Sequence, residues 1–272
     1  MRLTSIASGS SGNCVYVGSD TTHLLVDAGI SCKRIEEGVN ELDLSMRDID
    51  GILVTHEHSD HISGLGVISR KYHIPIYATP GTKNEILNPK NRLGEIDPEL
   101  ICEIYPEDKL TIKDITINPM NVSHDAAQPV AYRFKSGNTR IGVITDLGTF
   151  NDYTVESLKG MNALFMEANH DVRMLEVGPY PYYLKKRILG DRGHLSNASC
   201  GNLLSKLMND NLQAVFLGHL SKENNLPELA YESVRVEVTM NKAMEDQKTI
   251  SINDIRMFVA KRSEVSNIVN IN

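Results

Sequence analysis

The sequence predicts an α/β layered protein. Short apolar runs that read as strands alternate with stretches of helical period along all 272 residues. Histidines and aspartates recur at the ends of those runs, where a rigid sheet presents chemistry from its loops. No low-complexity linker divides the chain, so a single domain spanning 1–272 is expected, built of two β-rich halves at about 1–122 and 123–272.

In chain order, residues 3–7, 14–18 and 23–27 read as strands. The first two are joined by Ser8-Gly9-Ser10-Ser11-Gly12-Asn13. Small residues suit a tight turn with exposed amides and hydroxyls, which makes Ser8, Ser10, Ser11 and Asn13 candidate contacts for an anionic substrate. The third strand closes on Asp27-Ala28-Gly29, and residues 31–39 suit a short helix. Residues 51–55 form a buried apolar strand. After it, Ile62, Leu65, Ile68 and Tyr72 repeat at helical spacing and predict one helix over 60–73. A strand at 74–78 and a helix at 79–87, with Pro80 in its first turn, lead into an exposed loop at 88–98.

Residues 100–122 hold two or three strands and end on Ser123-His124-Asp125. Strands at 130–134 and 140–145 follow, the second closing on Asp146-Leu147-Gly148. The same strand, acid and glycine order at 24–29 and 142–148 suggests an internally duplicated fold. A helix at 153–158 and a strand at 163–166 lead to Glu167-Ala168-Asn169-His170. Residues 178–194 are irregular, then basic and helical. An amphipathic helix at 197–208 is capped by Ser196. A strand at 215–217 ends at Gly218-His219, followed by a long helix at 227–244 and a last strand at 255–260.

Hydrophobic residues make up 41% and charged residues 23%, an ordinary globular balance. The net charge of −7 excludes a whole-protein basic field, so any nucleic-acid contact is local. One such concentration exists: Lys185, Lys186, Arg187 and Arg192, interleaved with Tyr180, Tyr182 and Tyr183, suit a phosphate backbone and stacked bases. Four cysteines without a CxxC pair read as free thiols of a reducing cytosol. No signal peptide is evident, and no apolar run approaches the roughly 20 residues of a membrane helix. A cytoplasmic protein without membrane contact is therefore expected, and nothing in the sequence sets its oligomeric state.

The densest chemistry is His56-Glu57-His58-Ser59-Asp60-His61. Imidazole and carboxylate without cysteine suit Zn²⁺, Mn²⁺ or Fe rather than a closed structural site. A short turn brings His56 and His58 to one ion and leaves Asp60 and His61 for a second. Two divalent ions about 3.5–4 Å apart form a hydrolytic clamp, and water between them loses a proton near neutral pH. Other strand ends carry Asp27, His124, Asp146, His170 and His219. Asp146 is the best bridge between two ions, and His170 is a candidate substrate contact.

This cluster resembles the signature of the metallo-β-lactamase superfamily. The resemblance implies an αββα sandwich of two mixed β-sheets flanked by helices, with a dinuclear site at one edge. It implies that His56, His58 and His124 hold one metal, that Asp60, His61 and His219 hold the other, and that Asp146 bridges. Asp27 matches the family's non-ligand acid. Asp60 and His194 are the catalytic candidates, because related phosphodiesterases use a histidine placed like His194 on the leaving oxygen or the phosphate. An aspartate at 146, where true β-lactamases usually carry cysteine, points to the phosphodiesterase and nuclease branch.

Longer motifs narrow the likeness. These are the 6–13 stretch, Ser123-His124-Asp125-Ala126-Ala127, Glu167-Ala168-Asn169-His170-Asp171, Gly178-Pro179-Tyr180-Pro181, the 190–197 stretch and His219-Leu220-Ser221-Lys222-Glu223-Asn224-Asn225. Together they resemble the YycJ/WalJ-type hydrolases, which implies a Mn²⁺-dependent 5′→3′ exonuclease on double-stranded DNA. Tyr182 stands where that family's pattern has tryptophan. Two other classes fit the same chemistry: a small-molecule hydrolase acting on a cyclic phosphodiester, lactone or thioester, and a non-enzymatic metal sensor.

Overall fold

A computed structural model describes residues 1–245 and 251–272. Its strands fall into two seven-stranded sheets. The first contains β1 (Arg2–Ala7), β2 (Cys14–Gly18), β3 (His23–Val26), β4 (Gly51–Leu53), β5 (Ile76–Ala78) and β6 (Ile101–Glu103). The second contains β7 (Leu110–Ile112), β8 (Ile115–Asn121), β9 (Val130–Ser136), β10 (Thr139–Ile144), β11 (Ala163–Glu167), β12 (Ala214–Gly218) and β13 (Arg256–Val259). A last strand, β14 (Val269–Asn270), returns to the first sheet beside β1. Each sheet begins with antiparallel neighbours and continues parallel, through β3–β6 and β10–β13. Parallel pairing needs crossovers, and the helices supply them.

The helices are α1 (Cys32–Asn40), α2 (Ser59–Ile62), α3 (Leu65–Tyr72), α4 (Pro80–Ile86), α5 (Asp152–Leu158), α6 (Val172–Val177), α7 (Tyr182–Ile188), α8 (Asn197–Leu207) and α9 (Pro227–Glu245). Three apolar clusters define four layers. Leu24, Val26, Leu53, Val143, Phe165 and Phe216 pack between the sheets. Leu25, Ile35, Ile52 and Ile68 pack the first sheet against its helices, and Leu164, Val215, Leu203 and Val234 pack the second. The strands read as continuous apolar runs because both of their faces are covered. Alternate residues of one strand serve different layers, as Leu24 and Leu25 do.

The αββα sandwich matches the expected architecture, with four local differences. The single helix expected over 60–73 is two, α2 and α3. Gly64 separates them: its N–H donates to Ala28 O at 2.8 Å, and a Cβ there would lie 2.1 Å from Ile30 O. Residues 100–122 yield three strands divided between the sheets, so the chain changes sheet after β6. Helix α6 and strand β14 had no distinct sequence signal, being six and two residues long. The Ser196 cap is present, its side chain accepting from Ser199 N.

Candidate metal centre

The parallel strands of both sheets release their polar residues at one edge. Asp27 follows β3, His56 to His61 follow β4 and run into α2, and Asp146 follows β10. Glu167 ends β11, and His219 follows β12. Asp27, Asp146 and His219 have φ of 65°, 53° and 56°. Left-handed backbone is costly for residues with a Cβ, and here it turns each side chain sharply off its strand. Close packing seals the corner. A Cβ on Gly29 would lie 1.7 Å from Asp60 O, so only glycine lets the loop after β3 meet α2.

Two groups of ligand atoms result. His56 Nε2 and His124 Nε2 lie 3.0 and 3.3 Å from His58 Nδ1. Beside them, Asp60 Oδ2 lies 3.5 Å from His61 Nε2 and 3.3 Å from His219 Nε2. Asp146 lies between the groups, with Oδ2 3.1 Å from His61 Nε2 and Oδ1 3.7 Å from His124 Nε2. Ligand atoms of His56, His58 and His124 come within metal-binding reach of one another, as do those of Asp60, His61 and His219, and those of His56, His61 and Asp146. His58 and Asp60 keep partial exposure; the others are buried.

The far nitrogen of four of these imidazoles is held in place. Thr55 Oγ1 meets His56 Nδ1 at 3.0 Å, Asp27 Oδ2 meets His61 Nδ1 at 2.7 Å, and Gly193 O accepts from His124 Nδ1 at 3.0 Å. Glu167 Oε1 meets His219 Nδ1 at 2.9 Å. Such contacts fix tautomer and ring orientation at metal sites. Asp27 is itself held by Thr55 N at 2.8 Å.

The donor set fits divalent cations. With Nδ1–H of His61 given to Asp27, a neutral ring turns the Nε2 lone pair toward Asp146 Oδ2, which receives no well-formed hydrogen bond. The nitrogens of His56, His58 and His124 likewise converge without enough protons to satisfy one another. Electron pairs crowded in a buried place call for positive charge. The titration shifts record the same concentration of carboxylate charge: His61 and His219 are both raised, so protons answer it where a cation would. Burial alone would lower His219, but Asp146, Asp60 and Glu167 raise it to about 10. Burial would raise Asp146, but His219 and His61 hold it well below the carboxylate range.

A cavity of about 370 Å³ opens over these residues. Its walls include His58, Asp60, Asp146, His194 and His219 from the ligand cluster, Ser10, Asn169 and Ser221 from loops, and Tyr180, Leu184, Arg187 and Ile188 from α7 and the segment before it. His194 Nδ1 lies 2.7 Å from Glu167 Oε1.

The expected substrate contacts divide. Ser10 and Arg187 line the cavity. Arg187 is also paired with Asp125, with Nη2 to Oδ1 at 3.1 Å. Ser8 turns inward, its hydroxyl accepting from His219 N at 2.7 Å. Asn13 is buried and meets His61 Nε2 at 3.2 Å. Ser11 is exposed away from the cavity walls. His170 is buried beside Asn169, and Asn169 faces the cavity in its place. Lys185 donates to Glu176 O, and Lys186 is exposed off the cavity. Arg192 donates to His124 O from Nε and Nη2 at 3.1 and 2.9 Å, so it holds the loop that carries His124. Three members of the charge run 185–192 thus serve three different jobs, and Lys186 none, because a helix and a turn point them apart. Sequence reasoning missed Glu167, which stands in the Glu167-Ala168-Asn169-His170-Asp171 motif and here orients two imidazoles. Its strand-end position, shared with Asp27, was the available signal.

A profile of the β-lactamase superfamily domain matches residues 22–217. The chain belongs to the β-lactamase superfamily. Two relatives within it are close along most of their length. The chain is 43% identical to the exodeoxyribonuclease YycJ of Bacillus anthracis, over 86% of this chain and 88% of that one. It is 41% identical to the exodeoxyribonuclease WalJ of Streptococcus pneumoniae, over 85% of each. Among solved structures, the metallo-β-lactamase fold protein YhfI of Bacillus subtilis superposes with a TM-score of 0.70 at 15% identity, covering 97% of this chain and 98% of that one. The short form of human tRNase Z gives 0.65 at 14% identity with both chains fully covered. These two likenesses establish the sandwich fold. Membership, with the His/Asp cluster, makes this chain a metal-dependent hydrolase of the superfamily.

Proposed function

We propose that this chain is a dinuclear metal-dependent exodeoxyribonuclease that degrades double-stranded DNA from 5′ to 3′. The observation that carries the reading is Asp146, one carboxylate set between two complete groups of ligand atoms, in a chain 43% identical to a named exodeoxyribonuclease. His56, His58 and His124 would hold one ion, Asp60, His61 and His219 the other, and Asp146 both. Bound Mn²⁺ or Zn²⁺ would supply Lewis acidity to a phosphoryl group and lower the pKa of water.

The chain's own groups would do the rest. Glu167 receives the Nδ1 proton of His194, so Nε2 is the atom His194 offers to a phosphoryl or leaving oxygen. Arg187, fixed by Asp125, supplies a cation at the mouth. Leu184, Ile188 and Tyr180 give an apolar wall for a base or sugar. Tyr182 and Tyr183, 81% and 74% exposed, offer stacking surfaces beyond the rim. The cytoplasm, where DNA is available and cysteines stay reduced, is the setting of this reading, and the four cysteines are free.

The test is a panel of duplexes labelled at either end, with metal-stripped protein reloaded with Mn²⁺ or Zn²⁺. Progressive loss from the 5′ end supports the proposal. Faster turnover of a cyclic phosphodiester or lactone than of any duplex would refute it.

A further inference from the structure

A second charged cavity lies away from the metal-ligand cluster. On the outer face of the second sheet, positions near the site are apolar and packed under helices, as Met120 and Ala131 are. Two residues further along the same face of β8 and β9 stand Asn118 and Arg133, and Lys135 follows. There a cavity of about 300 Å³ opens between β8–β10 and the end of α5. Asn118, Arg133, Lys135, Arg140, Glu156 and Lys159 are among its walls. That volume is at the small end of the range for ligand pockets.

The charge in this cavity is unbalanced. Four cations face one carboxylate, in a chain whose net charge is −7. Lys159 engages Glu156, and Arg133 engages Glu107 at 2.9 Å, whereas Lys135 and Arg140 form no ion pair among the described residues. Arg140 is the direct cross-strand partner of Lys135. Like charges placed opposite each other weaken a sheet, so the pair is a standing cost. Arg133 Nε is buried without an acceptor. Free cations, a buried donor without a partner and a cavity between them suit a multiply oxygenated anion, and phosphate is one that guanidinium and ammonium groups both bind.

We propose that this cavity is a phosphate-binding site that holds the sugar-phosphate backbone of nucleic acid. Arg140 lies six residues before Asp146 on β10 and its closing turn, a span of about 20 Å at strand rise. That is roughly six nucleotide steps of 3.4 Å. The site would therefore grip DNA well behind the cleaved end and hold the duplex as it shortens. The phosphate chemistry follows from the cavity, and only the DNA source rests on the proposed function.

The experiment compares the Mn²⁺-loaded wild type with the double variant Lys135→Ala/Arg140→Ala. Neither residue touches the metal-ligand cluster. Fluorescence anisotropy with a cleavage-resistant phosphorothioate duplex of about 20 bp is read across a salt series. Losing two phosphate contacts lowers the slope of log K against log salt by about 2 and weakens binding about tenfold at low salt. Removing the like-charge pair leaves the melting temperature unchanged or higher. If the double alanine variant does not fold, Lys135→Gln/Arg140→Gln takes its place. A second arm titrates a free deoxynucleoside monophosphate. Wild-type binding of the nucleotide that the variant lacks, with duplex binding unchanged, overturns the DNA source in favour of a free nucleotide. Unchanged slope and affinity in both arms overturns the site. Cleavage of an oligonucleotide too short to reach the cavity is equal in both proteins. Absence of any cleavage in both refutes the proposed nuclease activity while leaving the binding result intact.

Discussion

Glu167→Gln is the substitution from which most can be learned. The carboxylate is buried and satisfies four donors. Oε1 faces His194 Nδ1 at 2.7 Å and His219 Nδ1 at 2.9 Å, and Oε2 accepts from Leu147 N at 2.8 Å and Leu195 N at 3.1 Å. Glutamine has the same shape but only one oxygen. Whichever way it flips, its amide N–H₂ meets two donors with nothing to give them. Turned toward the imidazoles, it removes two charge-assisted hydrogen bonds at once. Replacing a partner behind one metal-ligating histidine typically costs 10–100-fold. Because one carboxylate here serves both a metal-ligand candidate and the cavity-facing His194, the upper end is expected. The predicted loss is about 100-fold in kcat, roughly 2.7 kcal/mol, together with weaker metal binding. Single-turnover kinetics on end-labelled duplex reads the first, and metal-titration calorimetry reads the second. The matched control is Asp27→Asn, which disturbs His61 without touching His194. It should weaken the metal while sparing more of the rate. A Glu167→Gln enzyme within about threefold of wild type in both quantities would refute the assignment of Glu167 as the orienting group.

Further outcomes are expected. Asp146→Asn should lose more than about 100-fold in turnover and bind one ion fewer by elemental analysis, since the carboxylate between both groups is neutralised; chelation of the wild type should lower its melting temperature by about 5–10 °C at metal concentrations near 100 Kd. Arg192→Ala should lower kcat about tenfold with KM retained, because it loosens the His124 loop, whereas Lys186→Ala should leave both within about twofold. Asp114→Ala should cost about 1 kcal/mol, a melting shift of roughly 2 °C, since Ser19, Thr21 and Thr22 of the turn between β2 and β3 and Ser136 of β9 all donate to its carboxylate and solvent screens the group. Burial would raise the Asp114 pKa, but those hydroxyls hold it below the ordinary value. Its contribution is therefore present above about pH 4 and fades as pH falls below that, so the difference between Asp114→Ala and wild type narrows in acid.

The metal-ligand candidates were legible in the sequence for a physical reason. Metal ligands are limited to a few side chains, and apolar strands must end before charged groups begin, so His56 to His61, His124, Asp146 and His219 stand out one strand end at a time. Strand and helix positions were legible too, because burial on two faces or one writes itself into the pattern of apolar residues. What the linear chain withheld was direction. Lys185, Arg187 and Arg192 share one charge run, but α7 and the turn after it send them to a carbonyl of α6, to the cavity mouth and to the back of the His124 loop. Ser8 and Ser10 are two residues apart in one loop, and one supports His219 while the other faces the cavity. Spacing along a chain states which residues are available. Only the pairing of neighbouring strands and the face-to-face packing of the two sheets decide which of them meet, because those contacts join residues as distant as Asp27 and His61, Glu167 and His219, or Ser8 and His219, with no periodicity to connect them.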